Sequence, residues 1–86
     1  MSQFKKALID ILTGTRDADM PFADLQLVLD RLGFQLRTRG DHFIYTMDGV
    51  EEIINLQPKG GKAKPYQVKQ VRQIILRYQL GGAANE

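Results

Sequence analysis

His42 is the only histidine of this 86-residue chain, and it lies in the segment Arg-Gly-Asp-His-Phe-Ile-Tyr at residues 39–45. An imidazole with its ordinary pKa of about 6.5 can accept and return a proton near neutral pH. RNA cleavage needs a proton removed from a 2′-hydroxyl and another delivered to the leaving 5′-oxygen, and a well-placed base accelerates such a step about 10²–10⁴-fold. His42 is therefore a candidate general base or acid; the alternative is an exposed or hydrogen-bonded strand histidine without a catalytic role.

Positive charge is concentrated in the C-terminal part of the chain. Residues 1–52 contain six basic and nine acidic residues, a balance of −3, whereas residues 53–86 contain six basic residues and one acidic residue, a balance of +5. The basic side chains of this second part are Lys59, Lys62, Lys64, Lys69, Arg72 and Arg77. This division predicts a polyanionic partner for the C-terminal half, unless the charges only form a solvated helix face.

The segment Gln-Pro-Lys-Gly-Gly-Lys-Ala-Lys at residues 57–64, called here the lysine loop, directly precedes Pro65. Glycine lets a phosphate approach the backbone closely, and free N–H groups at a helix start attract phosphate. We therefore expect a phosphate site here, with Lys69 and Arg72 continuing the positive charge along one side of the following helix. The alternative is a flexible solvated loop, and the spacing is not that of a Walker A motif.

Periodicity supplies the elements that must position these residues. Apolar residues at helical spacing predict helices over residues 2–12, 21–32 and 65–80, each ended by glycine. A change to a period of two predicts a strand over residues 34–37 with one buried face. Aromatic and β-branched residues predict a second strand over residues 42–47, and residues 50–56 are the returning strand of a hairpin.

Two turns connect the predicted strands, one at residues 39–41 and one at residues 48–49, where Asp-Gly is a strong hairpin signal. The resulting order α-α-β-β-β-α predicts an α+β fold, a three-stranded antiparallel sheet with helices on one face and the other face open to solvent. We expect one domain over residues 1–82 and a frayed tail at residues 83–86.

Composition excludes several kinds of site. The chain has no cysteine, so it has no disulfide framework, thiolate nucleophile or cysteine metal site. No apolar run approaches the roughly 20 residues of a membrane span, and the start lacks the features of a signal peptide, so we interpret the protein as cytoplasmic and without a membrane partner.

The carboxylates and tyrosines offer no clear chemistry. Glu51 and Glu52 are neighbours on a strand and should point to opposite faces, so they do not form an acid–base pair. Asp41, Asp48 and Glu52 have no recognised ligand spacing, so we expect no metal and no cofactor. The tyrosines at positions 45 and 66 are expected in the core or at its edge.

Residues 31–49, Arg-Leu-Gly-Phe-Gln-Leu-Arg-Thr-Arg-Gly-Asp-His-Phe-Ile-Tyr-Thr-Met-Asp-Gly, resemble the HicA family of toxin ribonucleases. Proteins of this family combine an amphipathic helix ending in Leu-Gly-Phe, a strand that starts with Gly-Ser-His, a hairpin, a glycine-lysine loop and a final helix opened by Lys-Pro. The matching elements here are Leu32-Gly33-Phe34, Gly40-Asp41-His42, Asp48-Gly49, Gly60-Gly61-Lys62 and Lys64-Pro65.

This resemblance covers a core of about residues 20–80, with residues 1–14 as an N-terminal helical extension. It implies a fold like the double-stranded-RNA-binding domain and the toxin of a type II toxin–antitoxin pair, a metal-independent endoribonuclease (mRNA interferase) that cleaves messenger RNA. It places the catalytic role on His42 alone and implies a cognate HicB-like antitoxin. The family usually has serine at the position of Asp41, and a carboxylate there favours imidazolium and repels phosphate.

Our hypothesis is that RNA lies across the open sheet face and the lysine loop, with His42 acting on one phosphodiester. The residues expected to bind RNA are Arg39, Lys59, Lys62, Lys64, Lys69 and Arg72. The second proton comes from water, a lysine or a tyrosine. The alternatives are a non-catalytic RNA-binding module of the same fold and an adaptor whose basic face meets an acidic protein.

Overall fold

The computed structural model describes residues 2–81. Its elements are α1 (Gln3–Thr13), α2 (Phe22–Leu32), β1 (Gln35–Arg39), β2 (His42–Met47), β3 (Val50–Leu56) and α3 (Pro65–Tyr78). The strands form one antiparallel sheet in the order β1-β2-β3. The predicted α+β class and element order are therefore confirmed. The frayed tail predicted at residues 83–86 lies outside the described residues.

Local signals explain the ends of the first two helices. Ser2 caps α1 by accepting a hydrogen bond from the backbone N–H of Lys5 at 3.1 Å, and Gly14 ends it in the left-handed conformation with φ 75°. Gly33 ends α2 in the same way, with φ 103°. Pro21 precedes α2 rather than opening it, because its backbone is extended and forms a bridge with the lysine loop.

The end of α3 differs from the prediction. The helix stops at Tyr78, before the glycines, and Gln79 takes the left-handed position with φ 51°. Leu80 packs against the core immediately after this turn. Tertiary packing therefore ends the helix at a residue whose type does not favour that conformation.

The core lies between the helices and the inner faces of β2 and β3. Its largest fully buried side chains include Ile11, Met20, Leu25, Leu29, Ile54, Leu56 and Ile75. Burial of each such side chain contributes about 1.5–3 kcal/mol to folding. The rings of Phe22 on α2 and Phe43 on β2 meet edge to face at 5.3 Å, which shows that the helices cover one face of the sheet.

The edge strand β1 is not covered. All five of its residues are exposed, and Leu36, opposite the buried Tyr45, is 47% exposed. Only the preceding Phe34 is buried. The prediction that this strand has one buried face is therefore wrong: the packing of α2 and α3 reaches β2 and β3 but stops short of the edge.

No helix among residues 2–81 is long and apolar enough to cross a bilayer.

Candidate active site

His42 is placed by a tight turn at one end of the sheet. Arg39 pairs with His42 across the β1–β2 hairpin, so the connecting turn has two residues, Gly40 and Asp41. The φ of 63° at Gly40 is the positive value that a type II′ turn needs at its first central position. The sequence-predicted turn at residues 39–41 is thus one residue shorter, because Arg39 belongs to β1.

The outer face of the sheet carries His42. Arg39 pairs with His42, Arg37 with Ile44, and Ile44 in turn with Asn55. Directly opposed residues point to the same face of a sheet, and Phe43 and Tyr45 point inward. The His42 side chain is 47% exposed, so the ring is accessible to a substrate.

Asn55 holds one nitrogen of the ring. Its Oδ1 lies 3.1 Å from His42 Nδ1. An amide oxygen can only accept a hydrogen bond, so this contact requires the proton to be on Nδ1 and leaves Nε2 with the lone pair in the neutral ring. Asp41 Oδ1 lies 3.8 Å from Nε2 and can pair with it only when the ring is protonated.

Asp41 is itself held in place. Gln57 Nε2 donates to Asp41 Oδ2 at 2.6 Å, and the backbone oxygen of Gln57 accepts from Nε2 of the buried Gln67 on α3 at 3.3 Å. The pKa of Asp41 lies below its ordinary 3.8, mainly because of the Gln57 hydrogen bond, with smaller effects from the charges of His42 and Lys64. Asp41 is therefore charged at neutral pH, and Lys64 is part of its surroundings.

The fold brings the lysine loop to the same end of the sheet as His42. Phe43 pairs with Leu56, so the end of β3, where the loop begins, lies beside the start of β2. Arg39, at the end of β1, lies at this end as well. Strand topology thus places four of the residues predicted to bind RNA at the same end of the sheet as His42: Arg39, Lys59, Lys62 and Lys64.

Backbone hydrogen bonds hold the lysine loop in a defined shape, while its residues 59–62 stay exposed to solvent. Lys59 and Lys62 exchange backbone hydrogen bonds of 2.9 and 3.1 Å. Gly60 and Gly61 between them have φ 60° and 77°, as a type I′ turn requires at both positions. The oxygen of Gly61 also accepts from the N–H of Phe22 at 3.0 Å, which fastens the loop to α2.

Several backbone amides at the start of α3 already have acceptors. The N–H of Lys64 donates to the side chain of Gln67 at 3.0 Å. The N–H groups of Gln67 and Val68 both donate to the oxygen of Lys64, at 2.9 and 3.3 Å. A phosphate at this helix start would therefore have to bind lysine side chains or the N–H groups outside this set.

Arg72 is the predicted RNA-binding residue that the structure places elsewhere. Its guanidinium donates to both oxygens of Asp17 at 3.0 Å and to the backbone oxygen of Ile11 at 3.0 Å. Only 20% of the Arg72 side chain and 17% of the Asp17 side chain are exposed. Arg72 therefore joins α3 to α1 and to the connector after it. Its donors are committed to these partners, and we remove it from the predicted RNA surface.

The other cations differ in their availability. Lys62 Nζ pairs with Asp19 Oδ1 at 2.5 Å, with both side chains more than half exposed. Within residues 2–81, no ion pair is formed by Arg39, Lys59, Lys64 or Lys69. These four side chains are the ones that an anionic ligand could meet without displacing a carboxylate.

Three residues of this site were not predicted from the sequence: Arg37, Asn55 and Gln57. The alternation of β3, with Ile54 and Leu56 buried, could have placed Asn55 on the outer face. A regular hairpin continued from the Met47–Val50 pair would put Asn55 directly opposite His42. Instead, between Tyr45 and Met47 β2 advances two residues whereas β3 advances four, from Ile54 to Val50. This shift in register preserves the face of Asn55 but changes the residue it opposes.

The tyrosine predictions are only half confirmed. Tyr45 is 2% exposed, and its hydroxyl accepts from Gln26 Nε2 at 3.3 Å. Tyr66 is 61% exposed at the start of α3, so its predicted core position is wrong.

The two neighbouring glutamates differ in exposure, yet both reach Arg77. Glu52 faces α3, where Tyr78 donates to it at 2.7 Å and Arg77 at 3.0 Å, while the side chain of Glu51 is 86% exposed and lies 3.8 Å from Arg77 Nη2. Among residues 2–81, no three His, Asp or Glu side chains are grouped as a metal ion would need.

Comparison with protein-family models, curated proteins and solved structures finds no match for this chain.

Proposed function

We propose that this protein is an endoribonuclease in which His42 transfers the proton, and that it is the toxin of a HicA-like toxin–antitoxin pair. One observation carries the proposal: the imidazole is exposed, with Nδ1 held by Asn55, at the end of the sheet where Arg39, Lys59 and Lys64 lie without ion pairs within the described residues. A proton-transfer group among available cations is what phosphodiester cleavage without a protein nucleophile needs.

In the proposed reaction, Nε2 of His42 takes the proton from a 2′-hydroxyl. The 2′-oxygen then bonds to the adjacent phosphorus, and the bond from phosphorus to the 5′-oxygen breaks. The leaving oxygen takes a proton from solvent, so the products are a 2′,3′-cyclic phosphate and a 5′-hydroxyl. Lys64 and Arg39 offset the negative charge that develops on the phosphate.

The wider elements of the proposal rest on the resemblance. They are a fold like the double-stranded-RNA-binding domain, messenger RNA as substrate, a cytoplasmic location and a HicB-like antitoxin as partner. The RNA-binding residues retained are Arg39, Lys59, Lys62, Lys64 and Lys69. Lys62 stays among them because an exposed ion pair such as that with Asp19 is worth only about 0–1 kcal/mol and exchanges readily for a phosphate.

A second candidate function is RNA binding without cleavage. It is favoured by the position of Asp41, whose charged carboxylate lies 3.8 Å from His42 Nε2, where a phosphate would have to approach. Repulsion between the two anions would oppose the reactive geometry without preventing binding at the more distant lysines.

The experiment that separates these functions is incubation of purified protein with end-labelled RNA in EDTA, with His42→Ala as the test variant. We expect cleavage by the wild type, and loss of about 10²–10⁴-fold in His42→Ala with RNA binding retained. Thr46→Ala is the matched control, because residue 46 alternates onto the same face of the same strand.

Three outcomes are informative. Cleavage that depends on His42 supports the nuclease, and a mobility shift without cleavage supports the binding module. Full activity in a folded His42→Ala protein, checked by circular dichroism, removes His42 from the mechanism.

A further inference from the structure

The contact between His42 and Asn55 crosses two strands. Asn55 lies directly opposite Ile44, and His42 is two residues before Ile44, so the two polar side chains are diagonal neighbours on the outer face. Diagonal positions lie about 7–8 Å apart at Cα, within reach of long or ring side chains. The distance of 3.1 Å between His42 Nδ1 and Asn55 Oδ1 shows that the ring and the amide are in contact.

The anchor of Asn55 is rigid. The side chains on either side of it in β3, Ile54 and Leu56, are both 0% exposed. Because its two neighbours are buried and its strand is paired, the backbone of Asn55 is held in place. This suits a residue that must orient another side chain. Asn55 is itself exposed on the outer face, and it offers its oxygen to the ring from a backbone position held between two buried neighbours.

From this geometry we propose that Asn55 is a positioning residue for His42: by accepting from Nδ1–H, it selects the ring tautomer that leaves Nε2 as the proton-accepting atom. The inference rests on the proposed function, in which Nε2 takes the 2′-hydroxyl proton. It deepens that function by naming which ring nitrogen acts and which residue decides this.

The chemistry of an amide suits this position. An amide oxygen fixes the tautomer as a carboxylate would, yet it adds no negative charge where a phosphate must bind. The charged groups around the ring are Asp41 on the Nε2 side, Lys64 beside Asp41, and Arg39 opposite in the hairpin. The neutral amide of Asn55 thus contacts Nδ1, the ring nitrogen that does not react.

The test is the tautomer of the single histidine in ¹⁵N-labelled protein, read from two-bond ¹H–¹⁵N correlations at a pH where the ring is neutral. We expect the Nδ1–H form in the wild type and in Asn55→Asp, which keeps an acceptor oxygen. We expect the Nε2–H form to become substantial in Asn55→Ala. Thr46→Ala, on the same face but without contact to the ring, should leave the tautomer unchanged.

Cleavage is measured in parallel. Asn55→Ala should lower the rate about 10- to 100-fold, less than the loss of the base itself, with RNA affinity and its salt dependence unchanged. Asn55→Asp should cleave RNA faster than Asn55→Ala, because it keeps an acceptor oxygen for Nδ1–H, while it binds RNA more weakly.

The two readouts separate the two ideas. An Nε2–H ring in the wild type, or an unchanged tautomer in Asn55→Ala, overturns the role of Asn55 whatever the RNA shows. Absence of cleavage by a wild type whose tautomer does respond to Asn55 overturns the proposed function and leaves the positioning of the ring established.

Discussion

At the scale of single residues, Asp41 is the side chain that most affects what His42 can do. Its carboxylate lies beside Nε2, and Gln57 keeps it there with a 2.6 Å hydrogen bond. The carboxylate can stabilise a protonated ring, and it can also repel the substrate. Replacement by serine, the residue usual in the HicA family, separates these effects.

We expect Asp41→Ser to raise RNA cleavage at pH 7 about fivefold. Repulsion between two negative charges about 4 Å apart is worth roughly 1 kcal/mol in water. Removing the Asp41 carboxylate therefore eases the approach of a phosphate to Nε2. Initial rates with end-labelled RNA between pH 5 and pH 9 provide the measurement. Gln57→Ala is the control, because it frees the carboxylate without removing its charge and should change the rate less. A marked loss of activity in Asp41→Ser would instead make the carboxylate a working partner of the imidazole.

At the scale of elements, polar contacts join α3 to the rest of the fold at three places, one of which is the hydrogen bond from Gln67 to the oxygen of Gln57 after β3. Arg72 joins it to Asp17 and to the end of α1, and Tyr78 joins it to β3 through Glu52. The pKa of Glu52 lies below its ordinary 4.5, mainly because Tyr78 donates to it. The pKa of Tyr78 is raised above its ordinary 10.0 by the same bond.

These shifts predict how stability depends on pH. A carboxyl whose pKa is lowered on folding contributes stability above its unfolded pKa, here about 4.5, and loses it as the pH falls through the lower folded value. Glu52→Gln should therefore lower the melting temperature at pH 7 and reduce the further decrease between pH 7 and pH 3. Thermal unfolding followed by circular dichroism at both pH values tests this. Glu51→Gln removes only an exposed 3.8 Å pair with Arg77 and should lower the melting temperature less than Glu52→Gln does. Equal curves for all three proteins would show that the Tyr78 contact contributes nothing.

At the scale of the whole molecule, the arginines differ in whether their guanidinium groups are free to meet a ligand. Arg37 and Arg39 lie on the outer face of the edge strand and make no ion pair within the described part of the chain, while Arg72 is committed to the interior. An RNA strand that lies across the open face would meet the first two and not the third. The prediction made from sequence, which grouped Arg39 with Arg72, assigned them the same role.

We expect the double variant Arg37→Ser/Arg39→Ser to reduce the slope of log K against log salt by about 1.4, because each lost phosphate contact on a single strand accounts for about 0.7. Fluorescence anisotropy with a labelled RNA over a range of salt concentrations measures the slope. Arg72→Ala should leave the slope unchanged and destabilise the fold by about 1.5–3 kcal/mol, the usual value of hydrogen bonds to charged groups. A slope that is the same in the double variant and the wild type would remove the outer face from the RNA-binding surface.

The amino-acid sequence by itself determined the order of the elements and the turns between them, because these depend on neighbouring residues. Gly14 and Gly33 end helices, and the Asp48-Gly49 hairpin joins β2 to β3, since each needs a backbone conformation that few residue types adopt.

Only the tertiary structure decided which partner each polar side chain has. Arg72 meets Asp17 across 55 positions of sequence, and Asn55 meets His42 from a diagonal position because the shifted register puts Asn55 opposite Ile44. Tyr66 is exposed because its side of α3 faces away from the core. Charge and periodicity are properties of a segment, whereas an ion pair or hydrogen bond needs two groups within about 3 Å. That distance is determined by how the helices pack on the sheet, and no local pattern contains it.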